Sequence, residues 1–312
     1  MALYLTESDV DALLTIEDAL AAVESSFRRL AAGEVENRPR YRLGLQEGVM
    51  AVMAAADLGL GKAGLKTYTA FGHDDVRFLV LIFETGRADL LGVIEANRLG
   101  QLRTGAASGV AATYLAKPGA RTLGVLGCGF QAETQVAAIQ TAVPSLERVV
   151  AYCRSPDRLE RFCERVGAEP ADGHHEAGAQ EIVVTATTSK DPVLRGDWLV
   201  PGALVCAIGA NDARARELDN LVLERAAFVC CDSREQSMLE SGDLIDPVAQ
   251  GVLDWLEVHE LQEVVAGELP GRQSDDDIVV FKSNGIAAWD VAIGAVALDR
   301  ARERGVGIEL SL

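Results

Sequence analysis

Lysine, aromatics and histidine are scarce in this sequence: 5 of 312 residues are Lys, 4 are His, and Phe, Trp and Tyr together make up 5%. Basic residues of both kinds number 29 against 47 acidic ones, a formal net charge of −18. The overall field therefore repels phosphate backbones and anionic headgroups, and nucleic acid is not an expected partner. No apolar run reaches the roughly 18 residues of a membrane span, since long candidates such as Gly105–Ala116 are short and rich in Ala and Gly. No CxxC spacing occurs among Cys128, Cys153, Cys163, Cys206, Cys230 and Cys231. Most of them sit in apolar, strand-like text, as reduced core thiols do, which excludes a disulfide framework and a zinc ribbon. His174 and His175 are adjacent, and His73 and His259 have no neighbours at ligand spacing, so no metal site is expected. His73 itself reads as an exposed loop residue. The amino-terminal stretch MALYLTESDVDALL has neither a basic start nor a sustained apolar segment, and the expected location is the cytoplasm.

What is present is 49% hydrophobic and 24% charged, enough apolar text for one large domain or two ordinary ones. Thr15 with Asp18 opens a helix whose apolar residues Ile16, Leu20, Val23, Phe27 and Leu30 recur at helical spacing until Gly33. From residue 49 to 96 the period shortens, and Val49–Ala55, Leu65–Ala70, Phe78–Phe83 and Leu90–Ala96 read as an antiparallel meander. That meander has too little sequence of its own to cover both faces of its sheet, which points to a second copy of the chain. A small-residue helix, Arg98–Ala116, ends at Lys117-Pro118-Gly119, where we place a domain boundary.

Strands and helices alternate beyond it, with strands at Thr122–Leu126, Val149–Cys153, Ile182–Thr185, Leu204–Ile208 and Phe228–Cys231. This pattern predicts an α/β fold with a doubly wound parallel sheet. Ile278–Phe281 is a further strand candidate, and Ile286–Arg304 reads as a helix that returns to the first domain.

The sharpest local signal is Gly127-Cys128-Gly129-Phe130-Gln131-Ala132, a G-x-G-x-x-A run that follows the strand TLGVL and opens a helix. In that context it is a dinucleotide-binding (Rossmann) fingerprint. Gly127 permits the tight turn, Gly129 lets a pyrophosphate approach the backbone, Ala132 allows close helix packing, and the helix start offers amide donors to the anion. An NAD site commonly ends its next strand in Asp or Glu; here the text is Cys153-Arg154-Ser155. A guanidinium and a hydroxyl suit a 2′-phosphate, so NADP(H) is the favoured cofactor and NAD(H) the alternative.

Several phrases together resemble the ornithine cyclodeaminase/mu-crystallin family: Pro39-Arg40, Gly64-Leu65-Lys66, Leu102-Arg103-Thr104-Gly105-Ala106-Ala107-Ser108, the fingerprint, Arg216-Glu217-Leu218-Asp219, and Gly271-Arg272-Gln273-Ser274 leading to Phe281-Lys282-Ser283-Asn284-Gly285. They run in the family's order across nearly the whole chain. The resemblance implies a homodimer with a Rossmann domain (118–285) inserted in an α+β substrate and dimerisation domain (1–117, completed by 286–312). It further implies α-amino or α-imino acid chemistry with a nicotinamide cofactor. Carried over by position, Arg40, Lys66 and Arg103 grip the substrate α-carboxylate, Lys66 also serves as the acid near the imine, and Thr104, Asn211, Ser283, Asn284 and Gly285 belong to the cofactor's surroundings.

Two departures from the cyclodeaminase pattern narrow the activity. Where that pattern has Asp six residues before the Glu-Leu, this chain has Asn211, which cannot act as a base; Asp212 stands beside it. Where the pattern has Glu two residues before Met-Pro, this chain has Ala51 before Met53-Ala54. The expectation is an NAD(P)H-dependent reductase of α-imino acids, reversible as an L-amino acid dehydrogenase, with Asn211 in the reaction centre. A cyclodeaminase releasing ammonia with bound NAD, an alanine dehydrogenase, and a non-enzymatic nucleotide-binding protein are the alternatives.

Overall fold

Two sheets, one in each of two units, organise the chain in a computed structural model that describes residues 1–71, 75–87 and 89–311. The amino-terminal elements are β1 (Ala2–Leu5), α1 (Glu7–Leu13), α2 (Ile16–Ala31), β2 (Val35–Gly44), β3 (Val49–Asp57), β4 (Lys62–Phe71), β5 (Asp75–Glu84), β6 (Leu90–Glu95) and α3 (Asn97–Leu115). Then come β7 (Thr122–Leu126), α4 (Phe130–Ala142), β8 (Arg148–Tyr152), α5 (Pro156–Val166), β9 (Glu169–Pro170), α6 (His174–Gly178), β10 (Ile182–Thr185) and β11 (Leu204–Ala207). The remainder is α7 (Asn220–Arg225), β12 (Ala226–Cys231), α8 (Arg234–Glu240), α9 (Gly242–Ala249), β13 (Val258–Glu260), α10 (Leu261–Val265), β14 (Ile278–Lys282), α11 (Ala287–Arg304) and β15 (Ile308–Leu310).

The first unit comprises Met1–Arg103 and Gly285–Leu312. Its sheet has the order β15-β1-β6-β5-β4-β3-β2, antiparallel except that β1 runs parallel to β6. Thr15 caps α2 in a reciprocal box: its hydroxyl accepts from Asp18 N–H, and the Asp18 carboxylate accepts from Thr15 N–H at 2.9 Å. Phe27 of α2 meets Trp289 of α11 edge to face, ring centroids 5.2 Å apart, in the layer that covers one face of the sheet. On the other face Val52, Leu65, Leu79, Leu81, Phe83 and Val93 are each partly exposed. Strand β2 lay outside the expected meander because VENRPRYRLG is polar and carries Pro39, as suits an edge strand.

The second unit, Thr104–Asn284, holds an all-parallel sheet of order β13-β12-β14-β11-β10-β7-β8-β9. Every residue of β10, β11 and β14 is buried, the pattern of strands covered on both faces. The chain leaves β7 toward β8 on one side and returns to β10 on the other. The crevice at the carboxyl ends of β7 and β10 is therefore a topological switch point.

The two units divide at Arg103/Thr104, inside α3, whereas the sequence signals had put the boundary at Lys117-Pro118-Gly119. Those three residues make the turn from α3 toward β7, with Gly119 at φ +72°. Arg103 packs against Asp290 and Trp289 of α11, which ties its end of α3 to the first unit, and no local stop signal announces that contact. Among the described residues no helix is long and apolar enough to cross a membrane, and no group of three His, Cys, Asp or Glu is placed to hold a metal ion.

Candidate active site

Four charged side chains meet in the interior of the first unit. Lys66 sits on β4 directly opposite Met53 of β3, and its Nζ lies 3.0 Å from Asp290 Oδ1, which α11 brings from 224 residues away. Arg103 Nε is 3.4 Å from the same oxygen, and its guanidinium lies 5.8 Å from the Trp289 ring. Arg40 Nε reaches Met53 Sδ at 3.4 Å. All four groups are at least 91% buried, with exposures of 3% for Lys66, 7% for Arg103, 9% for Arg40 and 1% for Asp290. Two glycines make room for these side chains: a Cβ at Gly100 would stand 2.8 Å from Lys66 Nζ, and one at Gly285, where φ is +77°, would collide with the Arg103 guanidinium.

Lys66 and Arg103 share the Asp290 carboxylate, Arg40 adds a third positive charge near Lys66, and isolated charges are costly to bury. Arg103 Nε and Asp290 Oδ2 also have no hydrogen-bond partner of good geometry among the described residues. Among the described residues the cluster carries more positive than negative charge, which suits an incoming anion. Burial is the main force on Lys66 and lowers its pKa to about 8; Arg103 and Arg40 push the same way, and Asp290 opposes them. An amine with that pKa exchanges a proton readily near neutral pH.

The second unit supplies a nucleotide cradle. A cavity of about 460 Å³ opens at the switch point, lined by Gly127 and Gly129 after β7, by Tyr152, Cys153, Arg154 and Ser155 at the end of β8, and by Thr187 after β10. Gly127 has φ +110°, and a Cβ there would collide with the Ala186 carbonyl oxygen. Space is open where a Gly129 side chain would stand, and no side chain caps α4, so the first amides of that helix are available to an anion. The buried Gln131 Oε1 has no hydrogen-bond partner among the described residues. These features fit a dinucleotide.

Arg158 joins Arg154 and Ser155 in the wall, and Ser155 begins α5 without spending its hydroxyl on the cap. Burial, and after it Arg154, lowers the pKa of His174, whose ring lies 4.5 Å from that of Tyr152 in the same cavity. Asp191 is the carboxylate of this wall, borne by the loop after β10 and not by the end of β8. Cys128 and Cys153 line it too; burial pushes the Cys128 thiol well up, and Cys153 adds to that through a hydrogen bond.

Behind the cradle lies a second buried charge cluster. Glu217 accepts from Thr185 Oγ1 at 2.9 Å, from both Thr187 N and Oγ1 at 2.7 Å, and from Gly209 N and Ala210 N at 2.7 and 3.2 Å. Asp243 Oδ1 accepts from Glu217 N and Leu218 N, and its Oδ2 is 3.0 Å from Lys282 Nζ. Lys282 also donates to Ala210 O at 2.6 Å. This network fixes the loops that leave β10 and β11, including the residue just before Asn211. Asp232 does likewise for the segment after β14, accepting from Ser283 Oγ and Asn284 N, each at 2.8 Å.

The structure therefore gathers Arg40, Lys66 and Arg103 in one place and Gly127, Gly129, Arg154 and Ser155 in another. Phe130 is exposed at the start of α4, and the Thr104 carbonyl accepts from Gln135 Nε2 at 3.0 Å; neither lines the cavity. Asn211 is exposed, its neighbour Asp212 pairs with Arg214 at 2.9 Å, and Ser283 and Asn284 lie in the Asp232 network. Gly285 belongs with Arg103 in the first unit. His73 lies outside the described residues. Sequence reasoning missed Asp290, Arg158 and the roles of Glu217, Asp243 and Lys282. The one signal for Asp290 was an acidic residue inside the apolar text of the closing helix.

Residues 2–305 match the sequence model of the ornithine cyclodeaminase/mu-crystallin family. The chain is 34% identical to the alanine dehydrogenase of Archaeoglobus fulgidus over 99% of its own length and 98% of that protein's, and 27% identical to the iminosuccinate reductase of Paracoccus denitrificans over 99% and 100%. The structure of Thermococcus litoralis Δ1-pyrroline-2-carboxylate reductase in complex with NADH and L-proline superposes with a TM-score of 0.93 at 30% identity, covering 99% of this chain and all of that one. An archaeal alanine dehydrogenase dimer with bound NAD gives 0.93 at 32%, covering 100% and 99%. With its motifs, its two units and these matches along its full length, the chain belongs to the ornithine cyclodeaminase/mu-crystallin family.

Proposed function

We propose that the chain is an NAD(P)H-dependent reductase of α-imino acids that runs in reverse as an L-amino acid dehydrogenase. The observation that carries this reading is the buried, cation-rich cluster in which Lys66 and Arg103 share Asp290 with Arg40 nearby, in a chain whose other unit has a dinucleotide cradle. In this reading Arg40 and Arg103 hold the α-carboxylate by charge-assisted hydrogen bonds. Lys66, whose pKa is about 8, gives a proton to the imine nitrogen and recovers it in the reverse direction. Asp290 holds Lys66 and Arg103 in register, so the proton donor and the carboxylate clamp are set in advance.

On the cofactor side, Gly127 and Gly129 form the pyrophosphate cradle with the backbone amides of Phe130 and Gln131 at the start of α4, Arg154 and Ser155 receive the ribose 2′-phosphate with help from Arg158, and Thr104, Asn211, Ser283, Asn284 and Gly285 belong to the nicotinamide end. A bound nicotinamide nucleotide supplies the hydride to the substrate α-carbon. NADPH is preferred over NADH in this reading because β8 ends in a cation and a hydroxyl where an acidic residue would favour NAD.

A steady-state screen of NADPH and NADH oxidation over cyclic imines, and over 2-oxo acids with ammonia, tests the reading. Turnover with one of these classes is expected, and ammonia release from ornithine without net change in the nucleotide would contradict it. The exposed apolar face of the first unit's sheet supports a homodimer, and the archaeal alanine dehydrogenase is described as one. Light scattering should give twice the monomer mass, and Leu81→Glu, which puts a charge on that face, should shift the protein toward monomer.

A further inference from the structure

We infer that Cys128 and Cys153 form a dithiol site in the wall of the nucleotide cavity, that a hydroperoxide oxidises the pair to a disulfide, and that the disulfide turns the nucleotide away. The inference rests on reading that cavity as the dinucleotide cradle and does not depend on the substrate.

The fold sorts the cysteines, all of which are free thiols. Cys206, Cys230 and Cys231 lie within β11 and β12, buried in the parallel sheet, and Cys163 is buried on α5. Cys128 and Cys153 line the nucleotide cavity.

Register brings these two together. β7 and β8 are neighbouring parallel strands with Leu126 opposite Tyr152, and the pairing runs one step further, where Gly127 N–H donates to the Tyr152 carbonyl at 2.9 Å. Each cysteine is the next residue after one partner of that hydrogen bond. Neighbouring strands stand about 4.8 Å apart, inside the roughly 4.4–6.8 Å between Cα atoms that a disulfide bridges. The two thiols are also hydrogen-bonded to each other. Bond formation therefore asks for a short approach of two side chains, with no refolding of the strands.

The two sulfurs are unequal. Cys128 is 5% exposed, whereas Cys153 is partly exposed and its Sγ donates to Ser155 O at 3.5 Å. A peroxide entering the cavity thus meets Cys153 first. The Cys153 sulfur attacks one peroxide oxygen, the O–O bond breaks, and with hydrogen peroxide one water leaves and Cys153 becomes a sulfenic acid. Cys128 Sγ then attacks that sulfur, and its proton departs with the sulfenic hydroxyl as a second water. In sum two thiols lose two electrons and two protons, and the peroxide is reduced to two waters. An external dithiol reverses the step by exchange.

Oxidation here acts on both ends of the cradle. Cys128 stands between Gly127 and Gly129, and Cys153 immediately precedes Arg154 and Ser155. Joining the sulfurs draws the fingerprint turn toward the end of β8 and removes the thiol proton that Cys153 gives to Ser155 O. The pyrophosphate and ribose contacts shift together. By linkage, a nucleotide that prefers the dithiol form protects the pair from oxidation.

The test treats the protein with hydrogen peroxide, with and without saturating NADPH, and reads the NADPH Kd by fluorescence titration and the linkage by peptide mass mapping without reductant. Trypsin separates the two cysteines, because Arg148 and Arg154 bracket Cys153. A Cys128–Cys153 link is expected, with the Kd raised at least about tenfold, the scale of one hydrogen bond to a charged group. Dithiothreitol should restore the Kd, and NADPH should slow the linkage. Cys163→Ser should respond as wild type does, and Cys153→Ser should keep its own untreated Kd through the treatment. A link from Cys153 to Cys163, no link at all, a linked protein that binds NADPH as before, or a loss of affinity in Cys153→Ser equal to that of wild type overturns the inference and leaves the cradle reading standing. Untreated protein that binds neither NADPH nor NADH would overturn the cradle reading and the inference with it.

Discussion

The two buried charge clusters of this chain are built to opposite plans. In the second unit Glu217, Asp243 and Lys282 are all fully buried, and the carboxylate of Glu217 is occupied by five donors from its own chain. In the first unit Lys66 and Arg103 share Asp290 with Arg40 nearby, and among the described residues positive charge exceeds negative. Burial alone does not separate the two, since every group in both is at least nine-tenths buried. Charge balance and backbone pairing do. Carboxylates that accept from their own chain's backbone hold loops in place, and a cluster left with excess positive charge is shaped for an anion from outside.

That contrast breaks most visibly at Lys66. Lys66→Met should lower kcat by about 10²- to 10⁴-fold, the usual contribution of a general acid. Its effect on stability should be smaller than that of Glu217→Gln, because a cation already disfavoured by burial is removed and Arg103 stays beside Asp290. Kinetics and urea denaturation of one preparation measure both. Glu217→Gln should do the reverse to stability: the amide turns N–H groups toward buried donors, and a loss of about 2–5 kcal/mol is expected. A variant as stable as wild type would show that the second cluster is not the scaffold described here. A smaller effect belongs to Arg154→Asp, which should invert the NADPH/NADH ratio of kcat/KM by at least about tenfold. An unchanged ratio would place the ribose elsewhere.

Legibility from sequence followed the range of the interactions. The fingerprint strand and helix and the Thr15–Asp18 cap were readable because turn and cap chemistry is local, and all are present in the structure. The parallel sheet followed from alternating strand and helix text. Strand β2 was hidden by its polar edge character, and the short α8, α9 and α10 have too few turns to show a period. Arg40, Lys66 and Arg103 were named through family resemblance alone, because nothing local distinguishes a clamp arginine from a solvated one. Asp290 and the Glu217 network escaped because their partners are brought by tertiary folding, across 224 residues in one case and from three separate loops in the other.

The central claim, that Lys66 in the cation-rich cluster moves the proton, is tested most directly by the pH dependence of kcat/KM in both directions. Reduction needs the protonated amine, so its kcat/KM should be level below the Lys66 pKa of about 8 and fall tenfold per pH unit above it. Oxidation needs the neutral amine and should show the mirror image, falling tenfold per unit below about 8. Because the free enzyme's group sets this break, it should stay at one pH when the imine is changed. Profiles that are flat from pH 7 to about 9.5 in both directions, or a break that moves with each substrate's own pKa, would contradict the account.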